Sequence, residues 1–202
     1  MPRFRERKRK AFLELARQAI YEGILAVIKE HGYDGLTMQR VASAADIATG
    51  TLYNYFKNKD ELLIYADRKM RLQFLELFEE VNELDISAKE KVFKLVDGVF
   101  GFAQEHAEVF VALDQANILS KISKQEMRDS HEQFESAFVT IIQKGIEEKR
   151  FRQVDPIVTS ELFSATMRGI LCQKIEMETL DPRADMQKVL DLFFYYLGCA
   201  ET

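Results

Sequence analysis

Proline is scarce in this 202-residue sequence, and the turn that joins two β-strands in a hairpin is missing. The three prolines are Pro2, Pro156 and Pro182, and the last two each follow an aspartate. An aspartate N-cap with proline in the first turn is typical of a helix start. No run of useful length alternates polar and apolar residues, and no Asn-Gly or Asp-Gly turn separates two β-rich segments. The sequence therefore predicts an all-α fold.

Long apolar runs and cysteines are also scarce. No segment approaches the roughly 18 apolar residues that a membrane-spanning helix needs, and no apolar stretch follows the basic first ten residues as it would in a secretion signal. We therefore expect a cytoplasmic protein with no membrane partner. Cys172 and Cys199 lie in apolar surroundings without a CxxC spacing, and we expect buried, reduced thiols rather than a redox or metal site.

The charge is distributed unevenly along the chain. Residues 1–60 contain 11 Lys and Arg against 7 Asp and Glu, whereas residues 61–202 contain 17 against 26, which together give the net charge of -5. Six of the basic residues lie in a short segment, residues 3–10, which we call the basic segment. Such a segment is typical of a protein that binds a polyanion. A solvated terminus without a partner explains it equally well.

Helix-start signals and helical periodicity divide the chain into nine predicted helices. Ser87 with Glu90 and Ser123 with Glu126 have the spacing of a capping box, and apolar residues between the start signals recur every three or four positions. The predicted helices cover residues 11–31, 37–44, 49–55, 59–82, 88–106, 108–120, 124–149, 156–178 and 183–199. We predict an N-terminal three-helix domain, residues 1–58, and a C-terminal bundle of about six helices, residues 59–202.

Residues 37–56 have the pattern of a helix-turn-helix. Thr37 would cap a helix of about two turns that buries Met38, and a second short helix begins near Thr49. In such a motif the second helix lies in the DNA major groove. The surrounding segment HGYDGLTMQRVASAADIATGTLYNYFKNKDEL resembles the N-terminal signature of TetR-family (tetracycline-repressor-like) transcriptional regulators, with its glycine-tyrosine turn and its GTLYxxF motif followed by a lysine. The resemblance covers roughly residues 15–65.

The resemblance implies a DNA-binding regulator, most simply a repressor that binds a near-palindromic operator on double-stranded DNA as a homodimer and is released by a small-molecule effector. Neither an enzyme activity nor a cofactor or metal is expected. Leu52 and Phe56 would pack into the core. Residues expected to contact phosphate are Thr37, Thr51, Tyr53, Tyr55 and Lys59. Residues expected to face the bases are Gln39, Thr49, Gly50 and Asn54.

Two residues depart from the family's pattern. Asp46 stands in the turn where glycine is frequent, and Ala48 stands where serine often caps the second helix. Aspartate adopts the left-handed conformation less easily than glycine, and it adds a negative charge near the DNA. An alanine cap costs about 1 kcal/mol relative to serine. Together the two departures are expected to weaken DNA binding or to make the second helix depend more on DNA for its order.

The C-terminal helices suggest a dimer surface and, by the resemblance, an effector pocket. Helices 156–178 and 183–199 are apolar over an arc too wide for one side of a monomer core, which predicts a second packing partner, although deeper burial within one chain is the alternative. Dimer-interface candidates are Leu162, Met167, Gly169, Ile170, Val189, Phe193 and Leu197. Pocket candidates are Phe74, Phe78, Phe102, His106, Phe110, Asn117, Met127, His131 and Phe134, although an aromatic stripe of this kind is also typical of plain core.

Two other functions remain open from the sequence. His131 and Glu135, four apart on a predicted helix and joined by His106, would form part of a metal site in an enzyme, but no HExxH, phosphate loop or nucleophile elbow is present. The other alternative retains the fold without a specific operator, as a small-molecule-binding or nonspecific DNA-binding protein. The departures from the family's pattern at Asp46 and Ala48 support this second alternative.

Overall fold

The computed structural model describes residues 2–199, with side chains from residue 13 onward, and within these residues it is all-α and contains no strand. The predicted fold class is therefore confirmed. The helices are α1 (Pro2–Gly35), α2 (Met38–Ala44), α3 (Thr49–Tyr53), α4 (Lys59–Glu83), α5 (Ala88–Glu105), α6 (Ala107–Gln115), α7 (Ile118–Lys121), α8 (Lys124–Glu147), α9 (Pro156–Glu176) and α10 (Pro182–Tyr196).

The predicted start signals act as helix caps. The Ser87 hydroxyl accepts from the Glu90 amide while the Glu90 carboxylate accepts from the Ser87 amide, which is a complete capping box at the start of α5. Asp155 and Asp181 cap α9 and α10, each with proline in the first turn. Ser123 accepts from the Glu126 amide, but the Glu126 carboxylate pairs with Arg71 instead of completing a box.

Two predicted helices differ from the structure in their extent. The first begins at Pro2 rather than at residue 11, so the backbone of the basic segment is helical and not an extended arm. The predicted helix over 108–120 is two helices, α6 and α7, because Asn117 has a φ of 49° and a ψ of 43°. Asparagine is enriched in this left-handed conformation, which ends α6 and redirects the chain into α7.

Gly32 interrupts the helical backbone of α1. Its φ of 64° and ψ of -171° lie in a region that is essentially restricted to glycine. The residues that follow, Tyr33 to Gly35, are the last of α1 and lead into α2. Thr37 caps α2, since its hydroxyl accepts from the Arg40 amide at 3.2 Å.

The chain forms two compact units. The first contains the chain up to Met70 together with Glu108–Ile122, and the second contains Arg71–Ala107 and the chain from Ser123 onward. The division therefore falls within α4 and not after residue 58. The first turns of α4 belong with α1 because Tyr65 packs on Phe56 at 5.1 Å between ring centroids and donates from its hydroxyl to the Arg17 carbonyl.

The first unit encloses its core between α1, α2, α3 and the start of α4. Gly23 in α1 permits close packing, since an added Cβ would lie 3.2 Å from both the Ala45 nitrogen and the Val41 oxygen. The side chains that are essentially inaccessible to solvent include Ile20, Ile24, Ile28, Leu36, Val41, Leu52, Leu62 and Leu63. This packing fixes the orientation of the two short helices.

The second unit has an aromatic core between α4, α8, α9 and α10. Phe138 stacks on Phe163 with 4.0 Å between ring centroids, Phe163 meets Phe193 edge-on at 4.9 Å, and Phe78 contacts Phe138 at 6.5 Å. Aromatic pairs in these geometries contribute about 0.5–1.5 kcal/mol each beyond the burial of their surface. Phe193 is therefore a core residue of this chain.

A buried carboxylate joins the last two helices of this unit. Asp185 in α10 is 2% exposed, accepts from Lys188 at 3.0 Å and from the Asp181 amide, and pairs with Lys174 of α9 at 3.5 Å. The hydrogen bond from Lys188 is the main cause that holds the pKa of Asp185 below its ordinary value, against the opposing effect of burial.

From the lowered pKa of Asp185 we predict that the protein loses stability in acid. A lowered carboxyl pKa stabilises the fold at pH values above the unfolded-state pKa of 3.8, and this contribution is lost as the pH falls through the folded-state pKa. Asp185→Asn should therefore lower the free energy of unfolding at pH 7 and reduce its dependence on pH below about 4. Urea unfolding at pH 7 and pH 3 measures both.

The matched control is Asp191→Asn, an exposed carboxylate in the same helix that accepts from Gln187. It should cost less stability at pH 7 than Asp185→Asn. Equal costs for the two variants would contradict the role given to Asp185.

Candidate DNA-binding surface, effector region and dimer face

The helix-turn-helix is held together by the two predicted core residues. Leu52 of α3 is fully buried and Phe56, just after α3, is 8% exposed, so their predicted packing role is confirmed. Met38, Val41 and Ala42 are the buried residues of α2. The intervening turn is closed by backbone hydrogen bonds from Ala45 to Val41 and from Ile47 to Ala42, at 2.9 and 3.0 Å.

Asp46 and Ala48 have the local effects that the sequence predicts. Asp46 is exposed and has a φ of 52°, so the turn does require the left-handed region in which glycine is more frequent. Ala48 is the N-cap residue of α3 and offers no side-chain hydrogen bond there. The short α3 is therefore stabilised mainly by the burial of Leu52 and by the packing that follows it.

Six of the nine residues predicted to contact DNA are exposed on this motif. Tyr53 is 49% exposed, next to the buried Leu52. Gly50 has open space around it, since an added Cβ would meet no atom within 4 Å. The other exposed members are Thr37, Gln39, Thr51 and Asn54. Thr49, Tyr55 and Lys59 are half-buried, so these three present less surface than the sequence suggests.

Lys59 is half-buried and makes contacts within the protein. Its ammonium donates to the Tyr33 carbonyl and lies 3.4 Å from the centre of the Tyr33 ring. Burial lowers the pKa of Lys59, while Asp34 and Asp60 act to raise it. An ammonium has three donors, so Lys59 can hold the turn between α1 and α2 and still donate to a phosphate oxygen.

If Lys59 also binds phosphate, Lys59→Met should weaken both stability and DNA binding. Loss of the cation–π contact should cost about 0.5–1 kcal/mol of unfolding free energy. DNA binding should weaken by a similar factor on every duplex, because a phosphate contact carries no base information. Thermal unfolding and binding titrations on several duplexes measure the two effects.

The control for this substitution is Lys57→Met, since the Lys57 side chain is exposed. It should leave the unfolding free energy unchanged within a few tenths of a kcal/mol. If Lys59→Met altered the preference between duplexes, the phosphate role would be contradicted.

Sequence reasoning missed the residues that support this surface. Tyr33 receives Lys59, and Tyr65 ties α4 to α1. The Asn58 side chain caps α4 by accepting from the Glu61 amide at 3.0 Å, and Glu61 in turn accepts from the Lys57 amide at 2.8 Å. The Asn-x-x-Glu spacing was available in the sequence as a capping signal, whereas the Tyr33 and Tyr65 contacts depend on tertiary structure.

The predicted pocket residues form two groups in the second compact unit. Phe102 contacts both Phe74 and His106, with ring centroids 4.3 and 4.4 Å apart, and all three side chains are half-buried. Phe78 meets Phe134 at 5.7 Å. Close by in α4, Arg71 pairs with Glu126 at 2.9 Å and donates to the Met127 sulfur at 3.0 Å.

The remaining pocket candidates are not part of these two groups. His131 is exposed and lies 3.6 Å from Glu135. Phe110, which is half-buried, and Asn117, which is exposed, belong to the other compact unit. Among the side chains that the structure describes, no group of three or more His, Cys, Asp or Glu is placed to hold a metal ion.

The predicted dimer residues separate into buried and exposed sets. Leu162 is 47% exposed, Gly169 is exposed with open space around it, and Ile170 is half-buried. The other four are at most 5% exposed because they pack within the chain, which corrects their assignment to an outer surface; they are Met167, Val189, Phe193 and Leu197.

Helices α9 and α10 carry further exposed apolar residues besides Leu162 and Gly169. Val158 and Leu162 in α9 are 45% and 47% exposed, and Leu192 and Tyr195 in α10 are 53% and 86% exposed. Cys172 is also exposed, contrary to the predicted burial, and Cys199 is half-buried with its sulfur 3.6 Å from the Arg150 carbonyl. As a candidate for the predicted interface, we define the dimer face as Val158, Leu162, Gly169, Cys172, Leu192 and Tyr195.

Comparison with known proteins agrees with both parts of the chain. The family model "Bacterial regulatory proteins, tetR family" matches residues 20–66, and "Tetracyclin repressor-like, C-terminal domain" matches residues 85–171. A fatty acid metabolism regulator protein of Bacillus subtilis (strain 168) is 34% identical over 103 residues, which are 49% of this chain and 53% of the relative. The match thus spans about half of that relative's length.

Solved structures share the fold over most of the chain. The fatty acid degradation regulator FadR from Bacillus halodurans has a TM-score of 0.68 at 24% identity, covering 88% of this chain and 94% of the other. A TetR transcription regulator from Haloarcula marismortui ATCC 43049 has a TM-score of 0.73 at 20% identity, covering 91% and 96%. In the part of the chain that the structure describes, no helix combines the length and apolarity that a bilayer crossing requires.

Proposed function

Because the chain belongs to the TetR family of bacterial transcriptional regulators, we propose that it is a repressor that binds a near-palindromic operator as a homodimer and leaves it when a small-molecule effector binds. The observation that carries the proposal is the division of residues 49–56 by burial: Leu52 and Phe56 are buried, while Gly50, Tyr53 and Asn54 are exposed. This division leaves one side of α3 available to a major groove.

The proposed DNA contacts follow from this exposure. Gln39, Thr49, Gly50 and Asn54 would face the bases, since amide side chains can pair with adenine and a threonine methyl can contact thymine. Thr37, Thr51, Tyr53, Tyr55 and Lys59 would bind phosphate oxygens and so set the register of the protein on the duplex.

The homodimer would form through the dimer face. Its α9 members Val158, Leu162, Gly169 and Cys172 follow one another at intervals of four, seven and three residues, a spacing that keeps them on one side of a helix. A two-fold pair of chains would bury these exposed apolar groups and present two recognition helices about 34–36 Å apart, or a multiple of it, to a palindromic site.

The effector would bind in the second compact unit beside Phe74, Phe102 and His106. These half-buried aromatic rings suit a molecule with a substantial apolar part. The helix α4 contributes residues to both compact units, so we propose that it carries the signal. Suppose that the conformation that releases DNA and the one that binds it are populated 1:99 without effector. To reverse this ratio to 99:1, the effector must bind the releasing conformation more tightly by about 5.5 kcal/mol. The repressor would act in the cytoplasm, where its operator lies.

Selection of bound duplexes from a random-sequence pool tests the proposal. A palindromic consensus is the expected result. Salt-sensitive binding without any consensus would instead favour the nonspecific DNA-binding alternative, for which the exposed Asp46 and the missing cap at Ala48 are the supporting observations. A screen for compounds that release the selected duplex then identifies the class of effector.

A further inference from the structure

Helix α1 begins several turns before Ile20. The helix begins at Pro2, and Ile20 is its first fully buried residue among the described side chains. Leu15 is 70% exposed, and Glu14, Arg17 and Gln18 are also exposed. At 1.5 Å per residue, about 27 Å of helix precedes Ile20. These exposed side chains therefore add little to the buried core.

The basic segment lies in these first turns. It contains one acidic residue, Glu6, and six basic residues, which are Arg3, Arg5, Arg7, Lys8, Arg9 and Lys10. With a rotation of about 100° per residue, these six positions are distributed around the whole helix. A helix that lies on a membrane surface instead needs one apolar face opposite its basic face. The pattern thus favours an extended polyanion over a lipid surface.

The helical backbone also decides between the two ways in which a basic segment contacts DNA. A basic arm enters the minor groove as an extended chain. That groove is only about 6 Å wide, whereas a helix with its side chains is about 10–12 Å across. The basic segment, as a helix, would therefore contact phosphates along the outside of the duplex.

The length of α1 separates the basic segment from the turn that leads into α2. From residue 10 to residue 31 the helix spans about 30 Å, which is close to one turn of duplex DNA. The end of α1 leads directly into the turn before Thr37, a proposed phosphate contact. We infer that the basic segment binds, as a helix, the phosphate backbone of DNA that flanks the sequence read by α2 and α3. This inference rests on the proposed function.

The test compares the full chain with a variant in which all six basic residues are replaced by glutamine, which retains a high helix propensity. A charge-retaining control carries Arg3→Lys, Arg5→Lys, Arg7→Lys and Arg9→Lys. Each protein is titrated at several salt concentrations with two duplexes. One carries only the selected consensus, and the other adds twelve base pairs of arbitrary sequence at each end.

We expect the original chain and the control to bind the long duplex at least about tenfold more tightly than the short one. Their salt dependence should also be steeper on the long duplex, by about 0.9 in the slope for each phosphate contacted. The glutamine variant should bind both duplexes equally and still prefer the consensus over a scrambled sequence. Exchanging A·T for G·C pairs in the flanks should change nothing, since a minor-groove arm, but not a phosphate contact, reads this difference.

Several results would overturn the inference. The first is a glutamine variant that still binds the long duplex more tightly than the short one. The second is a preference for A·T-rich flanks. The third is binding to phosphatidylglycerol vesicles that competes with binding to long duplexes. If the selection itself yields no consensus, the proposed function fails separately. The inference is then tested on long random duplexes, where equal salt slopes for the original chain and the glutamine variant would reject it.

Discussion

Replacing Gly50 with leucine should abolish most specific DNA binding while the protein remains as stable as before, or becomes more stable. The position is exposed near the start of α3, and an added Cβ would meet no protein atom within 4 Å. The Cβ of a leucine therefore meets no obstacle within the protein. It should add up to about 1 kcal/mol of unfolding free energy, since leucine favours a helix over glycine.

Binding should change in the opposite direction. If Gly50 allows α3 to approach the bases, a leucine side chain will hold the helix away from the major groove. We expect a loss of about 1–3 kcal/mol, which is roughly a tenfold to hundredfold weaker affinity for the selected duplex. Binding to a scrambled duplex should change much less, because it depends on phosphate contacts.

The chain offers a matched control in Gly101→Leu. Gly101 is also an exposed helical glycine with no atom within 4 Å of an added Cβ, but it lies in α5 of the second compact unit. The Gly101→Leu substitution should raise the melting temperature in the same way and leave the affinity for DNA unchanged. If Gly50→Leu bound the selected duplex as tightly as the original chain, α3 could not be the helix that approaches the bases.

The sequence predicted the helix-turn-helix well because its signals are local. The Thr37 cap, the four-residue spacing of Leu52 and Phe56, and the positive φ at Asp46 follow from propensities that act within a few residues. The break at Asn117 is also local, and asparagine can adopt the left-handed conformation. The flanking residues, however, continue a helical pattern without glycine or proline, so periodicity alone could not reveal it.

The division of residues between core and surface in α9 and α10 could not be predicted from periodicity. Both helices are apolar on more than one side, and an apolar arc does not indicate which part packs within the chain. The structure buries Val189 and Phe193 against other elements of the same unit and leaves Leu192 and Leu162 exposed. The assignment of residues 108–122 to the first compact unit likewise depends on tertiary contacts that are distant in sequence.

The double substitution Leu162→Glu and Leu192→Glu should convert the protein to a folded monomer and remove most of its affinity for a palindromic duplex. Both leucines are about half exposed in the single chain, so glutamate should cost little stability there. In a two-fold dimer, however, each substitution would bury charges without partners, at several kcal/mol for the interface.

The expected loss of DNA affinity is large because the two half-sites are bound together. A dimer that holds one half-site binds the second at a high effective concentration, and this linkage is worth about 10²-fold or more in affinity. Sedimentation equilibrium should show a change from twice the chain mass of 23.4 kDa to that mass itself. Duplexes that carry one half-site should be bound equally by the original chain and the variant.

Leu72→Glu is the control for this experiment, since Leu72 is 53% exposed but lies in α4, outside the dimer face. It introduces the same charge at a similarly exposed leucine and should leave both the mass and the DNA affinity unchanged. A double variant that remained dimeric would place the interface elsewhere on the chain. A monomeric variant with full affinity for the palindrome would separate DNA recognition from dimer formation and contradict the two-fold model of operator binding.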